Sequence, residues 1–253
     1  MTIDLLPQLA FTFMAVFARV AAIVMLMPGF SAATVPVRIR LTIGILVTLI
    51  MVPLVGDLIP DVPGGPLELF AFLMREIIVG LFIGLLGSML VSALSTAGTT
   101  IAFQMSLSAA QNTDVSTSVQ GTLVANFFTV LSMTLIFAMD IDHLVIAAMH
   151  DSYELFPPGA PLPVADFAAM AADVFAQSFL IGVQMAAPFI VVGIIFNVGS
   201  GILSRLMPQF QVLLVLLPAN LMIGFFFLFA LLGTMMMWYM EHLQAGISTF
   251  IVQ

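Results

Sequence analysis

Cysteine and lysine are both missing from this chain of 253 residues, and charge of either sign is scarce, with 7% of residues charged. Without cysteine there is no disulfide, no thiolate metal site and no thiol nucleophile. Without lysine, and with a formal net charge of -8, there is no basic stripe to follow a phosphate backbone, which argues against nucleic acid as a partner. Motifs for catalysis are lacking as well: there is no Gly-x-Ser-x-Gly elbow, no His-Glu-x-x-His, no P-loop and no dinucleotide fingerprint. An enzyme, a cofactor or a metal site is therefore not expected. Polar surface is the other deficit. At 62% hydrophobic residues and a mean hydropathy of +1.23, the chain cannot cover a water-soluble globule. It reads as an integral membrane protein, or as one that hides its surface in partners.

Apolar runs then set the architecture. Six candidate membrane-length spans fall at residues 5–27, 40–55, 67–94, 123–139, 167–198 and 212–240, which predicts an all-α fold of membrane type. Met1-Thr-Ile-Asp4 supplies no basic region ahead of the first run, so that run is expected to be retained rather than cleaved. Arg38 and Arg40 follow the first span and Arg205 the fifth, while Asp57, Asp61, Asp140, Asp142, Asp151, Glu154, Asp166 and Glu241 occupy the opposite connections. The positive-inside rule puts the arginine-bearing turns in the cytoplasm and both termini outside.

Proline and glycine punctuate the spans. Pro28-Gly29 ends the first, and the turn residues of 56–66 and 157–163 make two compact extramembrane loops. Arg205, Pro208 and Gln209 form a charged, proline-broken elbow between two long apolar runs, the signature of a helical hairpin. Pro188 and Pro218 lie inside spans five and six, where each removes a backbone donor and is expected to kink its helix.

Span three carries a packing signal and a charge cluster. Gly80, Gly84, Ser88, Ser92 and Thr96 recur every four residues, a small-residue groove that admits another backbone, from this chain or from another subunit. Arg75 and Glu76 stand near the start of the same span, with Glu68 one face-repeat before Arg75, and Arg19 in span one is their expected partner. Ionisable groups at membrane depth are costly and usually paired, so Arg19, Arg75 and Glu76 read as structural charges before they read as a proton relay.

Between spans three and four the chain turns polar. Residues 104–120 are rich in Ser, Thr, Gln and Asn, side chains that compete with helical hydrogen bonding. This stretch is either a solvated loop or irregular backbone lining a cavity, tolerated only where protein or water satisfies it. His143 and His150, near Asp140, Asp142 and Asp151, read as a solvated helix face rather than a metal site, because the spacing matches no zinc motif. The nineteen methionines fill gaps in a helical core or, together, could form a deformable seal.

In order along the chain, Arg19 with Pro28 and Val35-Pro-Val-Arg-Ile-Arg-Leu41, Glu76 with Gly80, Gln104-Met105 with Asp114, His143 with Ser152-Tyr153 and Pro158-Gly159, and Arg205 with Pro208-Gln209 and Pro218 form a pattern that resembles the FliR family. These are the R subunits of the flagellar type III protein-export gate, called T subunits in injectisomes. The resemblance covers nearly all of the chain. Ser106 and Val115 depart from it, standing where Gly and Pro are expected.

That resemblance implies a P-like helical region over 1–166, a Q-like kinked helical hairpin over 167–253, and a plug loop over 105–121 that begins Met105, Ser106, Leu107, Ser108, Ala109, Ala110, Gln111, Asn112, Thr113, Asp114. It implies a structural and gating subunit of an export channel, assembled with P-type and Q-type subunits and contacted by a B-type export subunit. Unfolded exported proteins would pass through it, across the bacterial inner membrane at the flagellar basal body, with membrane lipid at its margin. The assembly would sit largely above the membrane plane, so that the spans are long apolar helices covered by neighbours. From the residues alone, the competing function is a small-solute or ion transporter using the kinked helices and the Arg19, Arg75 and Glu76 charges as its pathway.

Overall fold

A computed structural model of the chain describes residues 5–27, 35–107, 123–207 and 212–251. The described residues contain helices and turns and no strand. Helix α1 covers Leu5–Leu26 and α2 covers Val37–Val55, extended by a 3-10 turn at Gly56–Leu58. Helix α3 runs Pro66–Gln104, α4 Leu123–Ala138, α5 Ile141–Leu155, α6 Val164–Leu206 and α7 Val212–Ser248. Pro66 sits at the first position of α3, where its fixed φ suits the helix and its missing N–H costs nothing.

Five of these helices are long and apolar enough to cross a membrane, and a sixth span exists only if α4 and α5 count together across their 78° bend. The expectation of one span over 123–139 is thereby corrected. At 16 residues α4 falls short of the roughly 20 that a bilayer core requires, and the bend is made by Asp140, whose φ is +56°. Helix α3 overruns its expected end at 94, because Thr96 and Thr100 return their hydroxyls to the carbonyls of Ser92 and Thr96 at 3.3 and 2.8 Å. Those polar residues satisfy themselves within the helix and let it continue. Pro53, Pro188 and Pro218 all lie inside helices.

Packing divides the chain into two compact units, Met1–Leu90 with Ile136–Phe175 and Leu243–Gln253, and Val91–Leu135 with Ala176–His242. These units cut across the sequence halves 1–166 and 167–253. In the first, α1 meets α3 where Gly80 and Gly84 lie against Arg19, Ile23 and Leu26, and Val16, Val20, Ile23 and Leu86 are sealed from solvent. In the second, Gly98 of α3 admits the backbone of Ala125 on α4, and Phe128, Met236 and Tyr239 are buried. The helices keep large apolar faces open: Leu46, Leu49 and Ile50 on α2, Val191, Ile194 and Ile195 on α6, Phe225, Phe226 and Phe229 on α7. Faces of this size belong against lipid or protein.

Candidate functional site

Arg19 is the most buried charge in the first unit, fully closed from solvent on α1. Its Nε donates to Glu76 Oε2 of α3 at 2.7 Å, its Nη1 to the Ser152 carbonyl at 2.8 Å and its Nη2 to the Phe156 carbonyl at 2.9 Å. The guanidinium also lies over the Tyr153 ring, 4.2 Å from its centroid. Ser152 lies in the last turn of α5 and Phe156 caps it, the Phe156 N–H donating to the Ser152 carbonyl at 3.0 Å; the negative pole of the helix there favours a cation. One guanidinium therefore ties α1, α3 and α5 together. Its charge is neutralised by Glu76, so the group is paired as a buried ion must be.

The neighbouring loop is built to meet this cluster. Ala160 N–H donates to the Pro157 carbonyl at 3.1 Å, and Gly159 has φ of +82°. This is a type II turn with Pro158 and Gly159 in the two central positions, the second of which needs a left-handed backbone. The Gly159 carbonyl accepts from Arg75 Nη1 at 3.3 Å. Behind the turn, Phe82 stacks on Phe167 at 3.9 Å, with Phe156 edge-on to Phe167 at 5.2 Å. Arg75 itself is exposed and makes no ion pair among the described residues. The expected three-member charge cluster is thus a pair, Arg19 with Glu76; Arg75 stays outside it. Glu68 is exposed and, among the described residues, bonds to neither.

The small-residue groove of α3 is used within the chain at its first two positions. A Cβ on Gly80 would strike the Arg19 carbonyl, and one on Gly84 would lie 2.8 Å from Leu26 Cβ and 3.1 Å from the Ile23 carbonyl. Hence α1 crosses α3 at backbone contact, and the same approach places Arg19 beside Glu76. Ser88 is half-buried and Ser92 exposed.

In the second unit, the end of α3 leads into the segment expected as a plug. Met105 is fully buried and packs where Gly224 of α7 leaves room, while the Gln104 side chain fills the space left by Gly193 of α6. Met105 therefore anchors the segment and does not project from it. Ser106 turns into a left-handed conformation with φ of +59°. Leu107 lines an apolar hollow of about 480 Å³ together with Leu123, Phe127, Phe225, Leu228 and Phe229. Ser108, Ala109, Ala110, Gln111, Asn112, Thr113 and Asp114 lie outside the described residues.

Arg205 of the elbow is exposed in the last turn of α6, at the pole that favours a cation; Pro208 and Gln209 lie outside the described residues. Asp140, Asp142 and His143 are the described residues whose ligand atoms come close enough to hold a metal ion. His143 Nδ1 stands 3.8 Å from Asp140 Oδ1 and 3.7 Å from Asp142 Oδ1, with His143 and Asp140 largely exposed. His150 instead pairs with Asp151 at 2.9 Å.

Sequence reasoning missed Asn220, a buried polar residue on α7. An isolated amide in an apolar helix was the signal available. It missed Phe82 and Phe167 as well, which no pattern separates from the surrounding apolar residues.

The family model described as bacterial export proteins, family 1, matches residues 10–246. The chain is similar to the flagellar biosynthetic protein FliR of Caulobacter vibrioides, at 42% identity over 88% of this chain and 89% of that one. It is similar to the FliR proteins of Bacillus subtilis, at 28% identity over 89% and 86% of the two chains, and of Escherichia coli, at 26% over 85% and 81%.

Proposed function

This chain belongs to the bacterial export proteins, family 1, and from that premise we propose that it is the R subunit of the flagellar type III export gate, passing unfolded flagellar proteins across the bacterial inner membrane together with P-type and Q-type subunits. The observation that carries the reading is the similarity to FliR proteins along almost the whole chain; the exposed apolar helix faces fit a membrane subunit.

In this reading the subunit acts by shape and not by catalysis. The Arg19–Glu76 pair fixes α1, α3 and α5 against one another, and residues 1–166 form the P-like part and 167–253 the Q-like hairpin of a helical ring. Arg205, Pro208 and Gln209 turn that hairpin. Residues 105–121 close the channel until a substrate displaces them, and a polar, small-residue composition lets them swing aside without holding an unfolded chain. A B-type export subunit contacts the ring, which belongs to the flagellar basal body. The solute-transporter reading finds less support, because its proposed charge pathway reduces to one fully engaged ion pair.

Co-purification tests the reading. A tagged copy solubilised gently from native membranes is expected to bring P-type and Q-type subunits in a fixed ratio. Recovery as a monodisperse, partner-free monomer would overturn it.

A further inference from the structure

The end of α3 is held from α7 by a residue that the proposed function does not use. Asn220 is buried, and its Nδ2 donates to the Gln104 carbonyl at 2.9 Å and to Ser106 Oγ at 2.9 Å. Both hydrogens of the amide are engaged, one on each acceptor. The last carbonyls of a helix lack partners within it, and here Met105 N–H takes the Ile101 carbonyl, Ser106 N–H the Phe103 carbonyl, and Asn220 the Gln104 carbonyl. Ser106 adopts φ of +59°, a conformation disfavoured for any residue with a Cβ. A serine stands at that left-handed position where a glycine would do so freely, and its hydroxyl is the group that Asn220 grips.

We propose that Asn220 is a positioning residue: it fixes the left-handed turn at Ser106 and so sets the direction in which the chain leaves α3. Two sockets assist it. Gly224, one helical turn after Asn220 on α7, receives Met105, and Gly193 on α6 receives Gln104. The three contacts clamp residues 104–106 from α6 and α7. The geometry stands by itself; its consequence for export rests on the reading of 105–121 as the closure element.

The test uses the lack of cysteine in this chain. Leu107→Cys, half-buried just past the turn, gives a single thiol whose maleimide labelling is followed on this subunit's own gel band, in the assembled complex. Asn220→Ala is expected to raise the labelling rate several-fold. Adding Ser106→Gly should return it to the parent rate, because glycine takes the left-handed turn without help. Ser106→Val, with Asn220 intact, should raise it also, since a β-branched residue resists positive φ, and this variant decides the matter if Asn220→Ala fails to assemble. Parent-rate labelling in both single variants, or failure of Ser106→Gly to restore it, would overturn the proposal. Faster labelling with unchanged ion leakage would leave Asn220 as the positioning residue and remove the closure reading instead.

Discussion

Arg19 Nε and Glu76 Oε2 lie 2.7 Å apart with 1% and 2% of their side chains exposed, so each is the other's counter-charge in a site closed to water. Breaking a buried pair from one side leaves an uncompensated charge and costs about 3–5 kcal/mol. Glu76→Ala is therefore expected to cost the subunit that much, whereas Arg75→Ala, at an exposed residue, should stay within about 0.5 kcal/mol. Thermal unfolding of the detergent-purified complex compares the two. Equal losses would mean that Arg75 shares the pair, and a Glu76→Ala complex that assembles normally but loses proton-driven export would make Glu76 a relay.

Gly80 is where α1 and α3 touch backbone to backbone. Gly80→Ala puts a methyl onto the Arg19 carbonyl, and overpacking of this kind costs about 1–3 kcal/mol. Ser92→Ala, at an exposed position of the same stripe, is expected to change stability far less. A limited-proteolysis series on the purified complex reads both, and an unaffected Gly80→Ala would show that the helices can separate freely there.

The turn at Gly159 supplies a third expectation. With φ of +82°, Gly159→Ala takes on a left-handed penalty of about 1–2 kcal/mol and shifts the carbonyl that Arg75 holds. Pro158→Ala should lose only about 0.4–1 kcal/mol, the entropy that proline removes from the unfolded chain. Chemical denaturation that ranks the two in the opposite order would contradict the type II geometry.

If residues 105–121 close the channel as proposed, deleting 108–116 is expected to raise leakage of ions across the membrane in a complex that still assembles, because a steric barrier fails when shortened. Dye uptake by cells producing the whole complex measures it. Unchanged permeability in an assembled complex would put the seal elsewhere, for example in methionine rings on partner subunits.

Much of this fold was legible because membrane-length apolar runs and proline breaks are strong signals. Both the start of α1 at Leu5 and the start of α7 at Val212 follow from them. The α4–α5 bend was not legible, since Met139-Asp140 contains neither glycine nor proline and announces itself only through Asp140's tolerance of positive φ. The charge cluster was half legible. Arg75 and Glu76 are adjacent and point about 100° apart on a helix, so only one can face α1, and nothing in the sequence says which. Ser106 is the instructive departure: the family pattern suggested glycine there, and the structure gives the position a left-handed backbone that serine holds with Asn220's help.

The most direct test of the central claim is export itself. In the native host, deleting the coding sequence should abolish appearance of flagellar filament protein in the culture medium while it continues to be made in the cell. The wild-type copy should restore it, and an Arg19→Leu copy, left with Glu76 buried and unpaired, should not. Filament protein reaching the medium at the normal level in the deletion strain would contradict the account.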